Sequence, residues 1–270
     1  MQRILPVLTV LLVVVLLLGR ATRTRVPDAA GDLVAEAPIL ATEAVRAPPP
    51  GAERPGGPLA PGGEEAAPPS DTPAIDRLVT LANRQRIDRE ARYTYIDSLL
   101  VESDSLIRRW PNREGRPLRV FLQESPDLPG WQSDMPGIIR RAMSAWQEVL
   151  PDLRFEVVLV NDRADIEVHW IERFEIERTG QTDLQYRPTG EIQHGTLILA
   201  LQTRQEQVLP PEGMLAVAVH EFGHVLGLPH SSNLGDVMYP ETRTSRISAR
   251  DRATLVLLYA LAPGSLRINP

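Results

Sequence analysis

The sequence predicts an α/β (α+β) layer domain over residues 116–265, reached through an apolar segment, a disordered linker and a helical segment. Three observations predict it. The C-terminal half alternates β-rich apolar runs with helical periodicity, in the order strand, helix, several strands, helix, helix. Before it lies a stretch saturated with proline and glycine, and the chain opens on an uncharged apolar run.

"MQRILPVLTVLLVVVLLLGR" carries Arg3 and then no charge from Ile4 to Gly19. Residues 1–25 therefore read as a signal anchor or a signal peptide, with membrane contact through residues 4–19 and an extracytoplasmic destination, membrane-anchored or secreted. No small-x-small cleavage site follows, whereas Arg20, Arg23 and Arg25 do, and these would favour the cytoplasmic side of a bilayer. Residues 26–73, with "APPPGAERPGGPLAPGGEEAAPP" at their centre, bury too little apolar surface to offset ordering entropy and read as a disordered Pro/Gly/Ala-rich linker. Asp28, Asp32, Glu36, Glu43, Glu53, Glu64, Glu65 and Asp71 outweigh Arg46 and Arg54 there. Much of the formal charge of −6 thus sits in the linker, and the near-neutral remainder argues against nucleic acid as a partner. The chain has no cysteine, which excludes disulfides and any latency device built on a thiolate.

Residues 74–112 read as a helical stalk or packing segment. Asp71 or Thr72 caps it, Pro73 suits the first turn, and Ile75, Leu78, Val79 and Ala82, then Ile96, Leu99, Leu100, Leu106 and Ile107, recur at helical spacing. "PLRVFLQ" (117–123) follows as a strand and "MPGIIRRAMSAWQEVL" (135–150) as an amphipathic helix. "RFEVVLV" (154–160), "ADIEVHW" (164–170) and "GTLILAL" (195–201) are strand-like. Pro210 and Pro211 introduce a helix from about Glu212 to Leu226, and "SARDRATLVLLYAL" is a helix with Ser248 and Asp251 spaced as a capping box.

The chemistry concentrates in "HEFGHVLGLPH", residues 220–230. His220 and His224 are four apart, so their side chains share one helix face about 5–6 Å apart at Cβ. Gly227 can take the left-handed conformation that ends the helix, and Pro229 forbids its continuation, so His230 can swing back to the same point. Three imidazoles with an open fourth position is the catalytic arrangement for zinc. Glu221, about 100° round the helix from His220, can reach a water beside the ion without displacing it, and act as general base. The set suits hydrolysis of an amide by one catalytic Zn²⁺.

The motif resembles the metzincin metallopeptidases, whose signature is HExxHxxGxxH followed by a methionine turn, supplied here by Met238. "HEFGHVLGLPHSSNLGDVMYP" and "ISARDRATLVLLY" resemble the matrixin branch most. The resemblance implies a zincin-like fold, a small mixed twisted sheet with an active-site helix and a C-terminal helix, and endopeptidase activity on protein or peptide substrates. It also implies an edge strand near 195–201 that pairs with extended substrate. The chain departs from that branch in two places. Before the active-site helix it offers only His169 and His194 with scattered acids such as Asp162, Asp165 and Asp183, so structural calcium or a second zinc is not supported. Thr242 stands where the pocket wall usually carries tyrosine. His169 and His194 read as structural or exposed histidines, with a substrate-facing His194 as the lesser reading, and Met238 as an apolar floor. Two rival functions stay open: a zinc amidase acting on a non-peptide amide such as a cell-wall component, and a non-catalytic zinc-stabilised interaction module on a membrane stalk. The presence of Glu221 speaks against the module.

Overall fold

The computed structural model describes residues 41–42, 72–124 and 126–267. The apolar segment 1–25 and nearly all of the linker lie outside the described residues. Among the described residues no helix is long and apolar enough to cross a membrane.

The sheet forms where apolar residues alternate. Strand β3 (Leu118–Leu122) buries Leu118, Val120 and Leu122, and β5 (Ile166–Ile171) buries Ile166, Val168 and Trp170 while Arg119, Glu167 and His169 face the other side. With β4 (Phe155–Val158), β6 (Gly180–Tyr186) and β7 (Ile192–Ala200) they make a sheet in the order β6-β7-β5-β3-β4. All neighbours are parallel except β6 and β7. The sequence reading did not anticipate β6, whose Gly180, Asp183 and the glutamines 181 and 185 disguise a strand that still alternates, burying Gly180, Thr182 and Leu184. A two-residue strand β1 (Ala41–Thr42) adds to the free edge of β6 in parallel.

Helix α1 (Thr72–Glu90) leads through a short 3₁₀ turn to α2 (Ile96–Glu102). The helical expectation for 74–112 ends there, because Asp104 and Ser105 take left-handed backbone at φ 55° and 64° and Ser105 N–H turns back to the Leu100 carbonyl. Leu106 and Ile107, spaced as if on a helix, instead form strand β2 (Leu106–Ile107). It pairs with the C-terminal strand β8 (Gly264–Ser265). This segment is fastened to the rest: Thr80 donates to the Ser265 carbonyl, and Asn83 exchanges two hydrogen bonds with the Ala262 backbone.

Helix α3 (Met135–Val149) buries Ile138, Ile139, Ala142 and Trp146 of the stripe its periodicity predicts, leaves the stripe's Ala145 and Val149 half-buried, and adds Met143 to the buried face. It packs on α4 (Pro211–Val225), which lies against β6 and β7. Trp146 Nε1–H donates to the Val219 carbonyl at 2.8 Å, so the largest side chain of the stripe joins the helices both by area and by a satisfied polar atom. Helix α4 is largely apolar, and every residue from Ala216 to Val225 is buried, His220, Glu221 and His224 included. Helix α5 (Ala249–Ala260) begins with the expected capping box, Ser248 Oγ accepting from Asp251 N–H and Asp251 from Ser248 N–H.

Candidate active site

Helix α4 presents His220 and His224 one turn apart, and the chain leaves the helix at Gly227 with φ 96°. A side chain there would be strained, and its Cβ would run into the Arg108 carbonyl. The turn returns His230 to the helix. His224 Nε2 lies 3.1 Å from His220 Nε2 and 3.2 Å from His230 Nε2. The three ligand atoms sit within 4.8 Å of one another, a set that could hold a metal ion.

The tautomers follow from the other ring nitrogens. His220 Nδ1–H donates to the Val237 carbonyl at 2.7 Å and His224 Nδ1–H to the Leu228 carbonyl at 2.8 Å. A carbonyl can only accept, so each Nε2 turns a lone pair toward the shared point. Burial, then the charge of His230, pushes the His220 imidazole down to about 3, with the Val237 carbonyl opposing. Burial and the other two imidazoles hold His224 well below its ordinary value. Both rings are therefore neutral at physiological pH, the form that binds a metal. The lone pairs of His220 and His224 face each other at 3.1 Å with His230 Nε2 3.2 Å away, an arrangement that a cation between them relieves, so the donor set fits one ion and suits zinc.

Glu221 is fully buried on the adjacent face of α4. Its Oε2 accepts from the Thr182 hydroxyl at 2.7 Å, and its Oε1 is buried without a hydrogen-bond partner among the described residues. Burial lifts the carboxyl to about 8, opposed by the Thr182 hydroxyl and Arg178 and assisted by Asp183. A buried, half-satisfied carboxyl next to an imidazole that could hold a metal ion is arranged to exchange a proton. The backbone of β6 lies close beside it: a Cβ on Gly180 would overlap the Glu221 carboxylate.

Met238 is fully buried and runs so close under α4 that a Cβ on Gly223 would meet its Sδ. It is a floor, as expected. His169 and His194 lie elsewhere, with their Nε2 atoms 2.9 Å and 3.7 Å from the two carboxylate oxygens of Glu167, a residue on the side of β5 away from Ile166 and Val168. Thr242 is buried, and its hydroxyl faces the Thr244 carbonyl. Sequence reasoning missed Thr182 and Gly180, because their role depends on a strand pairing some forty residues before the motif.

Residues 118–260 match the family model for matrixins (Peptidase M10). The chain belongs to the matrixin family. Among curated relatives, this matrixin is 31% identical to stromelysin-2 of Rattus norvegicus over 152 residues, which is 52% of this chain and 31% of that protein. It is 31% identical to matrix metalloproteinase-18 of Xenopus laevis over 125 residues, 44% of this chain and 26% of that protein. It is 30% identical to macrophage metalloelastase of Rattus norvegicus over 146 residues, 50% and 30% of the two. The match thus spans between a quarter and a third of the length of these relatives. The matched stretch begins at β3, so α1, α2 and β2 of this matrixin lie before it.

Proposed function

We propose that this matrixin is a zinc-dependent endopeptidase in which His220, His224 and His230 hold the ion and Glu221 is the general base. The observation that carries the reading is the orphaned Oε1 of Glu221, a buried acceptor beside three convergent imidazoles. Bound zinc would supply Lewis-acid activation of water and of the scissile carbonyl. Glu221 takes the proton of the attacking water and returns it to the leaving amine, and the Thr182 hydroxyl keeps the carboxylate aimed while it does so. Strand β7, at the expected 195–201, lies between β6 and β5, and the edge open to an extended peptide is that of β6 beyond Gly180 and Gln181, which Ala41–Thr42 already pair. The mechanism therefore needs a peptide or protein substrate lying along β6. We place the enzyme outside the cytoplasm on the strength of the apolar run at residues 4–19.

The test is Glu221→Ala in zinc-loaded protein, assayed on denatured protein and on cell-wall fragments. Proteolysis should fall on the order of 10³-fold or more, and zinc should stay equimolar with the chain. Equal cleavage by the variant removes Glu221 from the mechanism, and cleavage of cell-wall amides alone replaces the endopeptidase with an amidase.

A further inference from the structure

Beside His224 and His230 a pocket opens whose far wall is not part of the matrixin match. Leu99 and Ser103 at the end of α2, together with Arg108 after β2, face Thr182 and Leu184 of β6 across it. Arg108 differs from the other partly buried arginines nearby. Arg109 donates to the Leu261 and Trp110 carbonyls, and Arg113 and Arg119 reach the Asp165 carboxylate. The Arg108 guanidinium instead lies over the Tyr186 ring at 4.4 Å; its buried Nε, like that of Arg113, has no hydrogen-bond partner, but unlike Arg113 no ion pair joins it to a carboxylate among the described residues. Burial works against its charge and lowers its pKa, only partly offset by Tyr186. Ser103 is 5% exposed, and its hydroxyl is likewise buried without a partner.

A desolvated cation and an unused hydroxyl on one pocket wall are costly unless a ligand completes them. The fitting ligand is an anion with planar acceptors, which a guanidinium binds through parallel N–H groups. Thr182 ties the pocket to Glu221, so a peptide extended along β6 to the zinc site passes it. We propose that Arg108 and Ser103 form a carboxylate-binding subsite next to the metal ligands, which selects substrates carrying an anionic group a short distance from the cleaved bond. This rests on the endopeptidase reading. Glu102 lines the same pocket, and its negative charge tempers the preference.

The experiment is digestion of a proteome-derived peptide library by the full chain, by Arg108→Gln, Arg108→Lys and Arg108→Glu, and by Glu221→Ala as the blank. Wild-type sites should carry Asp or Glu at one fixed position. The enrichment should vanish in Arg108→Gln, persist reduced in Arg108→Lys and give way to Lys or Arg in Arg108→Glu. Matching peptides with free and amidated C-termini separate the two sources of carboxylate: loss on amidation assigns the subsite to a chain terminus, and indifference assigns it to a side chain. In parallel, binding of an acidic peptide to the zinc-loaded Glu221→Ala protein should weaken about tenfold or more when Arg108→Gln is added, as for loss of a charge-assisted hydrogen bond. Zinc content and melting temperature of each variant report that the fold survives. A wild-type profile with neither an acidic preference nor a loss of cleavage on C-terminal amidation, or a preference that Arg108→Gln leaves intact, overturns the subsite and leaves the endopeptidase standing. Absence of any Glu221-dependent cleavage overturns both.

Discussion

The Thr182 hydroxyl is the one hydrogen-bond donor to the Glu221 carboxyl among the described residues. Thr182 donates to Oε2 at 2.7 Å, and that hydrogen bond favours the ionised carboxylate against a burial that raises its pKa to about 8. Thr182→Val keeps the shape and deletes the donor. The carboxyl pKa then rises further, and because a general base works only when ionised, the acid limb of the pH–kcat profile should move to higher pH. Activity at neutral pH should drop by about tenfold, the worth of one hydrogen bond to a charged group. An acid limb unchanged in position would mean that Thr182 merely packs against Glu221. The contrast with the imidazoles shows how much of the site is readable from residues alone. His220, His224, Gly227 and His230 are legible because their geometry is helical periodicity plus one glycine stop, all within eleven positions. Thr182, Gly180 and Arg108 are not, because each reaches the site through a strand pairing or turn whose register the local sequence does not encode.

Elements are held by two aspartates that occur among ordinary surface-type residues in the sequence. Asp251 was legible as the cap of α5, but it also accepts from Tyr95 O–H at 2.8 Å and from Val237 N–H at 2.9 Å. It thereby joins α5, the start of α2 and the methionine turn, whose Val237 carbonyl in turn orients His220. Asp251→Asn places an amide N–H₂ against donors, and should lower stability by about 2–4 kcal/mol in thermal or denaturant melts and weaken zinc retention with it. Asp165 is the second. Burial acts to raise its pKa, but the Arg119 side chain and backbone N–H, with Arg113, outweigh it and leave it below the ordinary value. A depressed folded pKa contributes stability that is present above about pH 4 and is lost as pH falls through the folded value. Asp165→Asn should therefore cost about 1–2 kcal/mol at pH 7, discounted for the partly exposed Arg119, and the gap to wild type should close below pH 4. A gap independent of pH would assign the loss to packing. At this scale the strands of alternating Ile, Val and Leu and the amphipathic α3 were legible. Strand β6 was not, since its glycine and amides lack β-propensity and the ladder to β7 alone makes it a strand.

Across the whole molecule, the segment before the matrixin match and the tail after it close on each other through β2 with β8 and through Asn83 with Ala262. The sequence suggested a stalk or a packing helix without deciding between them, because Leu78 and Leu81 leave apolar surface exposed while the joining contacts are polar side chains on backbone atoms. The proposed zinc site adjoins this closure: the Gly227 turn bears on the Arg108 carbonyl, and Trp110 Nε1–H donates to the Val225 carbonyl at the end of α4 at 2.9 Å. An ion held there is bound by the folded chain and not by the unfolded one, so its binding free energy adds to folding stability, by about 4 kcal/mol at a free zinc concentration a thousandfold above Kd. Removing it also returns the inward lone pairs of His220 and His224 to mutual repulsion in a buried space. Chelation should lower the melting temperature by roughly 8–16 °C for a domain of this size, and equimolar zinc should restore both the melt and the activity. Melting curves that superimpose with and without chelator, in protein shown to bind zinc when folded, would place the ion outside the cooperative unit, against the burial of His220 and His224 in the C-terminal half of α4.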